Sequence, residues 1–306
     1  MQPNSTETIR AVSSHSDVPP TEAARGHRTL RKIGYRTMAA VTNLTLYAFC
    51  ASYLFPFVWM LYNTFKPNAV FTRSIFSLPS PPTLDNWKGI LGGSTVWTAL
   101  INSTYITALS MMIIVLLSFI VAYFLSRYSF RGRNFLYGFF LIGLLVPIHA
   151  LLVPLYIQFI KLHLVNRRYT LLFPYVAFHL PTAIYLYDSY IRTIPRSIEE
   201  AAFVDGATMN QIMSMIMFPM CVPITGTILI LNFLGLWNEF PFALVLVSGA
   251  SYRTIPIWLS TFQGQYVSDI TGRLTAMFIA CVPIIVAYLF LRERMMQGLT
   301  AGAIKG

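Results

Sequence analysis

Six apolar runs, each long enough to cross a bilayer, limit what this chain can become. They cover about 38–62, 98–126, 135–160, 170–192, 216–248 and 274–292. A helix needs roughly 20 residues to traverse the hydrocarbon core. In lipid, every backbone N–H and C=O must be paired within the protein, so runs of this length fold as helices. The chain is therefore read as an all-α membrane protein with six transmembrane helices. Only 11% of its residues are charged, against about 25% in soluble domains. The fifth run is too long for one plain span and implies a break or a tilt. Residues 1–37 are rich in Ser, Thr, Pro and charge, which predicts a disordered cytoplasmic tail ahead of a 38–306 transmembrane domain. The tail is not a signal peptide, because Arg28, Arg31, Lys32 and Arg36 lead into a full-length span with no small-residue cleavage site.

The net charge of +11 invites a nucleic-acid partner. Its distribution points to the membrane instead, since basic residues collect in cytoplasmic loops. With the N-terminus inside, the inner segments hold 14 Lys and Arg and the outer segments 8. Both termini are thus expected in the cytoplasm, although the 161–168 loop, with Lys161, Arg167 and Arg168, opposes that orientation. No nucleic-acid partner is expected. Cys50, Cys221 and Cys281 lie within runs, as do His149 and His179, while His163 is in a loop; none has metal-ligand spacing, so no metal site is expected. Asp188 and Arg192 are one turn apart, which predicts a local ion pair.

Between the fourth and fifth runs lies a different kind of segment, Arg196-Ser-Ile-Glu-Glu-Ala-Ala-Phe-Val-Asp-Gly206 and onward to Met220. Ser197 stands three residues before Glu200, the spacing of a capping box, and Glu199 and Glu200 suit the positive end of a helix dipole. A short helix is expected from Ile198, stopped by Asp205-Gly206. Thr208 and Gln211 repeat the capping pattern, and a second helix is expected to run to Pro219. Ala201, Ala202, Gly206 and Ala207 are small enough for another surface to approach the backbone. Phe203 and Met209 flank them as adaptable apolar groups. An elbow lying on a membrane would favour Lys and Arg; this one carries acids, which favours docking to a protein.

Glu200-Ala201-Ala202, three residues, Gly206, nine residues, and Ile216-Met217-Phe218-Pro219 resemble the EAA loop of bacterial binding-protein-dependent ABC importer permeases. Phe218 departs from the usual Leu. Trp237-Asn238-Glu239-Phe240, Pro82-Thr83-Leu84-Asp85-Asn86-Trp87 and the end Gly298-Leu299-Thr300-Ala301-Gly302-Ala303-Ile304-Lys305-Gly306 resemble the carbohydrate branch, in particular the second maltose-type permease. Arg292-Glu293-Arg294 departs from it. The resemblance covers about 38–306.

It implies a non-catalytic permease subunit of an ATP-driven sugar importer working by alternating access. The coupling loop, about 195–218, would dock on a cytoplasmic ATPase dimer through Glu199, Glu200, Ala201, Ala202, Gly206, Ala207 and Pro219. A second homologous permease and an extracytoplasmic sugar-binding protein would complete the complex. The chain has no G-x-x-x-x-G-K-[ST] phosphate loop, and the resemblance places ATP and Mg on the ATPase subunits, with no cofactor on this chain. A polyol or glycerol phosphate fits the same machinery. An ion-coupled secondary transporter is the rival from another class.

Asn232, Trp237, Asn238 and Glu239 are candidates for a substrate path. An acid within a span is expensive and raises a functional question. Glu239 could bind sugar hydroxyls, brace a helix break or hold the partner permease. The prolines at 147, 154, 174, 181, 219, 223, 241 and 283 mark either packing kinks or helices bent around such a path. Tyr185, Tyr187 and Trp237 could stack on sugar rings. Gln263, Gly264, Gln265 and Tyr266, in the 249–273 loop, are candidates for contact with the binding protein.

Overall fold

The computed structural model describes the backbone over 22–265 and 269–303 and side chains over 38–262 and 269–290. Every regular element among the described residues is a helix. The first helix, Glu22–Asn63, starts well before residue 37. The second half of the expected disordered tail is thus helical, as its Ala, Arg, Leu and Lys content favours. Residues 1–21 lie outside the described residues.

Among the described residues, three helical stretches are long and apolar enough to cross a bilayer: Met38–Asn63, Ser94–Arg127 and Ile270–Phe290. Two bent pairs raise the number to five if each pair is one span. The expected single span at 135–160 is one of these pairs, Arg133–Gly143 and Ile148–Lys161, bent by 99°. Pro147 stands at the bend; it lacks an N–H and pushes the residue before it out of helical geometry. The long fifth run breaks twice. Met209–Met220 and Val222–Trp237 meet at 71°, and a short helix, Pro241–Leu246, follows the second break. The helix Leu172–Ile191 corresponds to the fourth run but is not among the spans that pass on length and apolarity.

The chain divides into two compact units at residues 58 and 59. In the first, Leu44, Tyr47, Tyr53 and Leu54 are exposed, which suits a helix solvated by lipid. The second unit is organised around Ser94–Arg127. This helix buries Ala99, Ser103, Thr107, Ser110, Ile114, Ser118 and Ala122, spaced three or four residues apart along one face. Small side chains at that spacing let neighbouring helices approach closely, and Leu172–Ile191 and Val222–Trp237 pack against it.

Two apolar cores result among the described residues. The larger joins Ile114, Phe119 and Tyr123 to Ile184, Tyr187, Ile212 and Met217. The smaller joins Val96 and Ala99 to Trp237, Ile255, Trp258 and Ala276. At the smaller core's end, Asn86 bridges the 63–97 segment to the last helix. It donates to the carbonyls of Thr64 and Lys66 and accepts from Thr271.

Candidate coupling surface and helix break

The elbow forms as two short helices turned at Gly206. The first is Ser197–Val204. The expected Ser197–Glu200 capping box is absent, because the N-cap is Arg196 and its side chain makes no cap bond. The N–H groups of Ile198, Glu199 and Glu200 instead reach the carbonyls of Pro195 and Arg196, so the backbone already satisfies the donors that Ser197 would have served. The helix ends in a Schellman motif. Gly206 N–H donates to the Phe203 carbonyl and Ala207 N–H to the Ala202 carbonyl, both at 3.0 Å, with Gly206 at φ +84°. Open space surrounds the position a Cβ would take there, so the left-handed backbone, not crowding, is what calls for glycine.

Thr208 then starts the second helix with the expected reciprocal capping box to Gln211. That helix ends at Met220, one residue past the expected stop at Pro219. It widens to π geometry over Ile212–Met217 and carries Pro219 in its last turn. Proline has no N–H for the carbonyl four residues back, and a widened turn is one way a helix accommodates such a mismatch.

The elbow has two distinct faces. Glu200, Ala201, Phe203, Val204, Asp205 and Gly206 are exposed, with Val204 at 89% and Phe203 at 51%. Val204 escaped the sequence reading, which looked for small residues and large adaptable ones. Its placement next to Phe203 on a short acidic helix was the available signal. Glu199 and Ala202 face inward, and Ala207 is half-buried. Met209, expected on the rim of the outward patch, is half-buried and accepts a hydrogen bond from the Tyr128 hydroxyl at 3.6 Å.

Glu199 is 7% exposed and sits in a charged cluster at the end of Ser94–Arg127. Its Oε1 lies 2.5 Å from Arg127 Nε, and its Oε2 accepts from the Tyr123 hydroxyl at 2.7 Å. The Arg127–Glu199 contact is close but poorly directed for a hydrogen bond, so charge attraction is its main component. Arg127 Nη2 also donates to the Ile194 carbonyl at 2.9 Å.

The four candidate path residues do not converge. Trp237 is buried in the smaller core, stacks with Phe233 and donates to the Ala280 carbonyl. Asn232 is also buried. Asn238 is exposed and bonds back to Leu234 of its own helix. Glu239 braces the second break: Oε1 accepts from Phe242 N–H at 2.6 Å, and Oε2 accepts from Ala243 N–H at 3.2 Å and from the Tyr175 hydroxyl at 2.9 Å. Of its three open roles, this geometry is that of the brace, a carboxylate capping the N-terminus of Pro241–Leu246.

Gly235 lies beside this joint, where an added Cβ would come within 2.6 Å of His179 Nε2. Tyr187 bonds to Thr225 inside the core, whereas Tyr185 is exposed. Asp188 and Arg192 form the expected pair, at 2.8 and 2.9 Å. Gln263, Gly264 and Gln265 fall in the last turn of Ile255–Gln265; their side chains and Tyr266 lie outside the described residues. Among the described residues no group of three or more His, Cys, Asp or Glu is placed to hold a metal.

Residues 114–300 match the family described as the binding-protein-dependent transport system inner membrane component. The chain belongs to that family. It is 36% identical over 252 residues to a putative ABC transporter permease from Caldicellulosiruptor sp., covering 82% of this chain and 91% of the relative. It is 34% identical over 257 residues to the trehalose/maltose transport system permease MalG of Thermococcus litoralis, covering 83% and 92%. It is 31% identical over 259 residues to the multiple sugar-binding transport system permease MsmG of Streptococcus mutans, covering 82% and 92%. In fold it resembles a chain of a bacterial ABC transporter that imports the acidic polysaccharide alginate, with TM-score 0.74, 22% identity, and coverage of 85% of this chain and 97% of that one. The binding-protein-dependent permease family and the long apolar helices expected from the sequence are thus found in this chain.

Proposed function

We propose that this permease is one transmembrane subunit of an ATP-driven importer that moves a sugar or oligosaccharide into the cytoplasm by alternating access. In this reading it crosses the bacterial cytoplasmic membrane six times with both termini inside. Leu172–Ile191 counts as a crossing because its protein-facing side tolerates polar residues.

The observation that carries the reading is the outward face of the elbow. Phe203 and Val204 stand exposed between Glu200 and Asp205, beside a glycine turn. An apolar tip with an acidic rim, at the end of a helical bundle, is shaped to enter a groove on another protein. A cytoplasmic ATPase dimer, holding ATP and Mg, would receive it there, and closure of that dimer would rock the membrane helices. A second homologous permease completes the pore, and an extracytoplasmic binding protein delivers the sugar and does most of the choosing. This chain itself hydrolyses nothing.

Gly206→Glu tests the assignment. It forces a bulky, charged residue into a left-handed turn on the docking face. The variant is expected to insert at normal levels and to lose ATP-dependent uptake. A pull-down of the wild-type chain from native membranes in mild detergent is expected to recover an ATPase, a second permease and a binding protein. Wild-type uptake by Gly206→Glu, or recovery of the chain alone, would sink the reading.

A further inference from the structure

We infer that Arg127 and Glu199, with Tyr123, fasten the elbow to the Ser94–Arg127 helix, so that the two move as one body when the elbow is displaced. This rests on the proposed coupling role and adds residues that do not touch the partner. The fastening grips the elbow on three sides. Before it, Arg127 holds the Ile194 carbonyl. On it, Arg127 and Tyr123 hold the Glu199 carboxylate. After it, the Tyr128 hydroxyl reaches the Met209 sulfur. Arg196, from the elbow's own N-cap, returns a bond to the Arg127 carbonyl at 3.3 Å.

The Arg127 and Glu199 side chains are 6% and 10% exposed. Separating them would leave a charge buried without water or a counter-charge, which a packed site resists strongly. Sliding of the elbow across the helix end is therefore disfavoured, and a push on Val204 is delivered to residues 123–127. Leu172–Ile191 packs along that helix, so the push spreads into the bundle. The neighbouring carboxylates divide the work: Glu200 faces out and Glu199 faces in. Glu199 and Arg127 are positioning residues for coupling.

The test uses the whole complex purified with its ATPase and placed in lipid vesicles. Spin labels at Asp205→Cys and Arg131→Cys report the distance across the fastening, with and without trapping by ATP and vanadate. With Glu199 present, the distance is expected to stay constant while the trapped state forms. In Glu199→Gln the elbow is expected to follow the ATPase while Arg131 lags, so that trapping changes the distance. Amide exchange across 199–206 should speed up by about tenfold, as expected for a locally opened segment. Tyr123→Phe, which deletes one hydroxyl, should give an intermediate change and serves if Glu199→Gln assembles poorly. The exchanged pair Arg127→Glu with Glu199→Arg should restore a constant distance, which a residue needed only for folding would not predict. A distance that changes on trapping with Glu199 present, or stays constant in Glu199→Gln and Tyr123→Phe alike, overturns the inference and leaves the importer reading standing. Absence of any ATPase from the wild-type preparation overturns the importer reading, and this inference with it.

Discussion

The elbow and the break at Glu239 are two joints in neighbouring stretches of the same chain, and each is held by a carboxylate. They are held differently. Glu199 faces a guanidinium, with a tyrosine hydroxyl on its other oxygen. Glu239 is held by two backbone N–H groups and a tyrosine hydroxyl, with no Lys or Arg paired to it among the described residues. The first joint relies on a buried charge pair and the second on hydrogen bonds to a helix N-terminus. A hydrogen-bonded cap fixes a local backbone turn. A charge pair between distant segments ties two elements together, and its rupture leaves a charge stranded. The joint expected to transmit force is the one built from charges.

The largest effect should come from stranding such a charge. Arg127→Met leaves Glu199 buried without its counter-ion and should cost about 3–5 kcal/mol, read as a lowered midpoint of unfolding in detergent. If Arg127→Met is as stable as the wild type, the two joints are not different in kind. Next comes Glu239→Ala, which orphans the Phe242 and Ala243 N–H groups and the Tyr175 hydroxyl. A cost of about 1–3 kcal/mol is expected for leaving buried donors unmade. Glu239→Gln keeps one acceptor oxygen for one side of the cap and should recover part of that loss, whereas Glu199→Gln should not recover its own. The order of those two Gln variants is the sharpest check of the contrast, because the substitution is the same and only the partners differ. The smallest effect belongs to Gly206→Ala. A Cβ there meets nothing within 4 Å, so the cost is only that of an L-residue in a left-handed turn, about 1–2 kcal/mol. A much larger loss would mean that the turn is packed against something on this chain.

Much of this architecture was legible in the residues. Apolar length announced helices across a membrane, and Thr208 with Gln211 announced a helix start that the structure contains. Asp188 and Arg192 announced their pair because both lie on one helix, four residues apart. The elbow's turn was legible for a similar reason: a Schellman stop is a local event, written in the glycine and its immediate neighbours.

Long-range partners were not legible. Glu199 and Glu200 are adjacent and chemically identical, and both read as parts of a docking face. Only the packing of Ser94–Arg127 against the elbow places Arg127 and Tyr123 opposite one of them. Trp237, Asn238 and Glu239 looked like one constellation because they are consecutive. A helix end and a break send them to three different neighbourhoods. Pro219 announced the helix end to within one residue, but not the π turn ahead of it.

Apolar length, local backbone chemistry and ordered motifs were enough to announce an all-helical chain, the turn at Gly206 and the family. Which carboxylate faces outward and which is locked to a cation was left to the packing of the helices. That choice depends on residues 72 and 76 positions away in the chain, brought together by helix packing that no local pattern encodes.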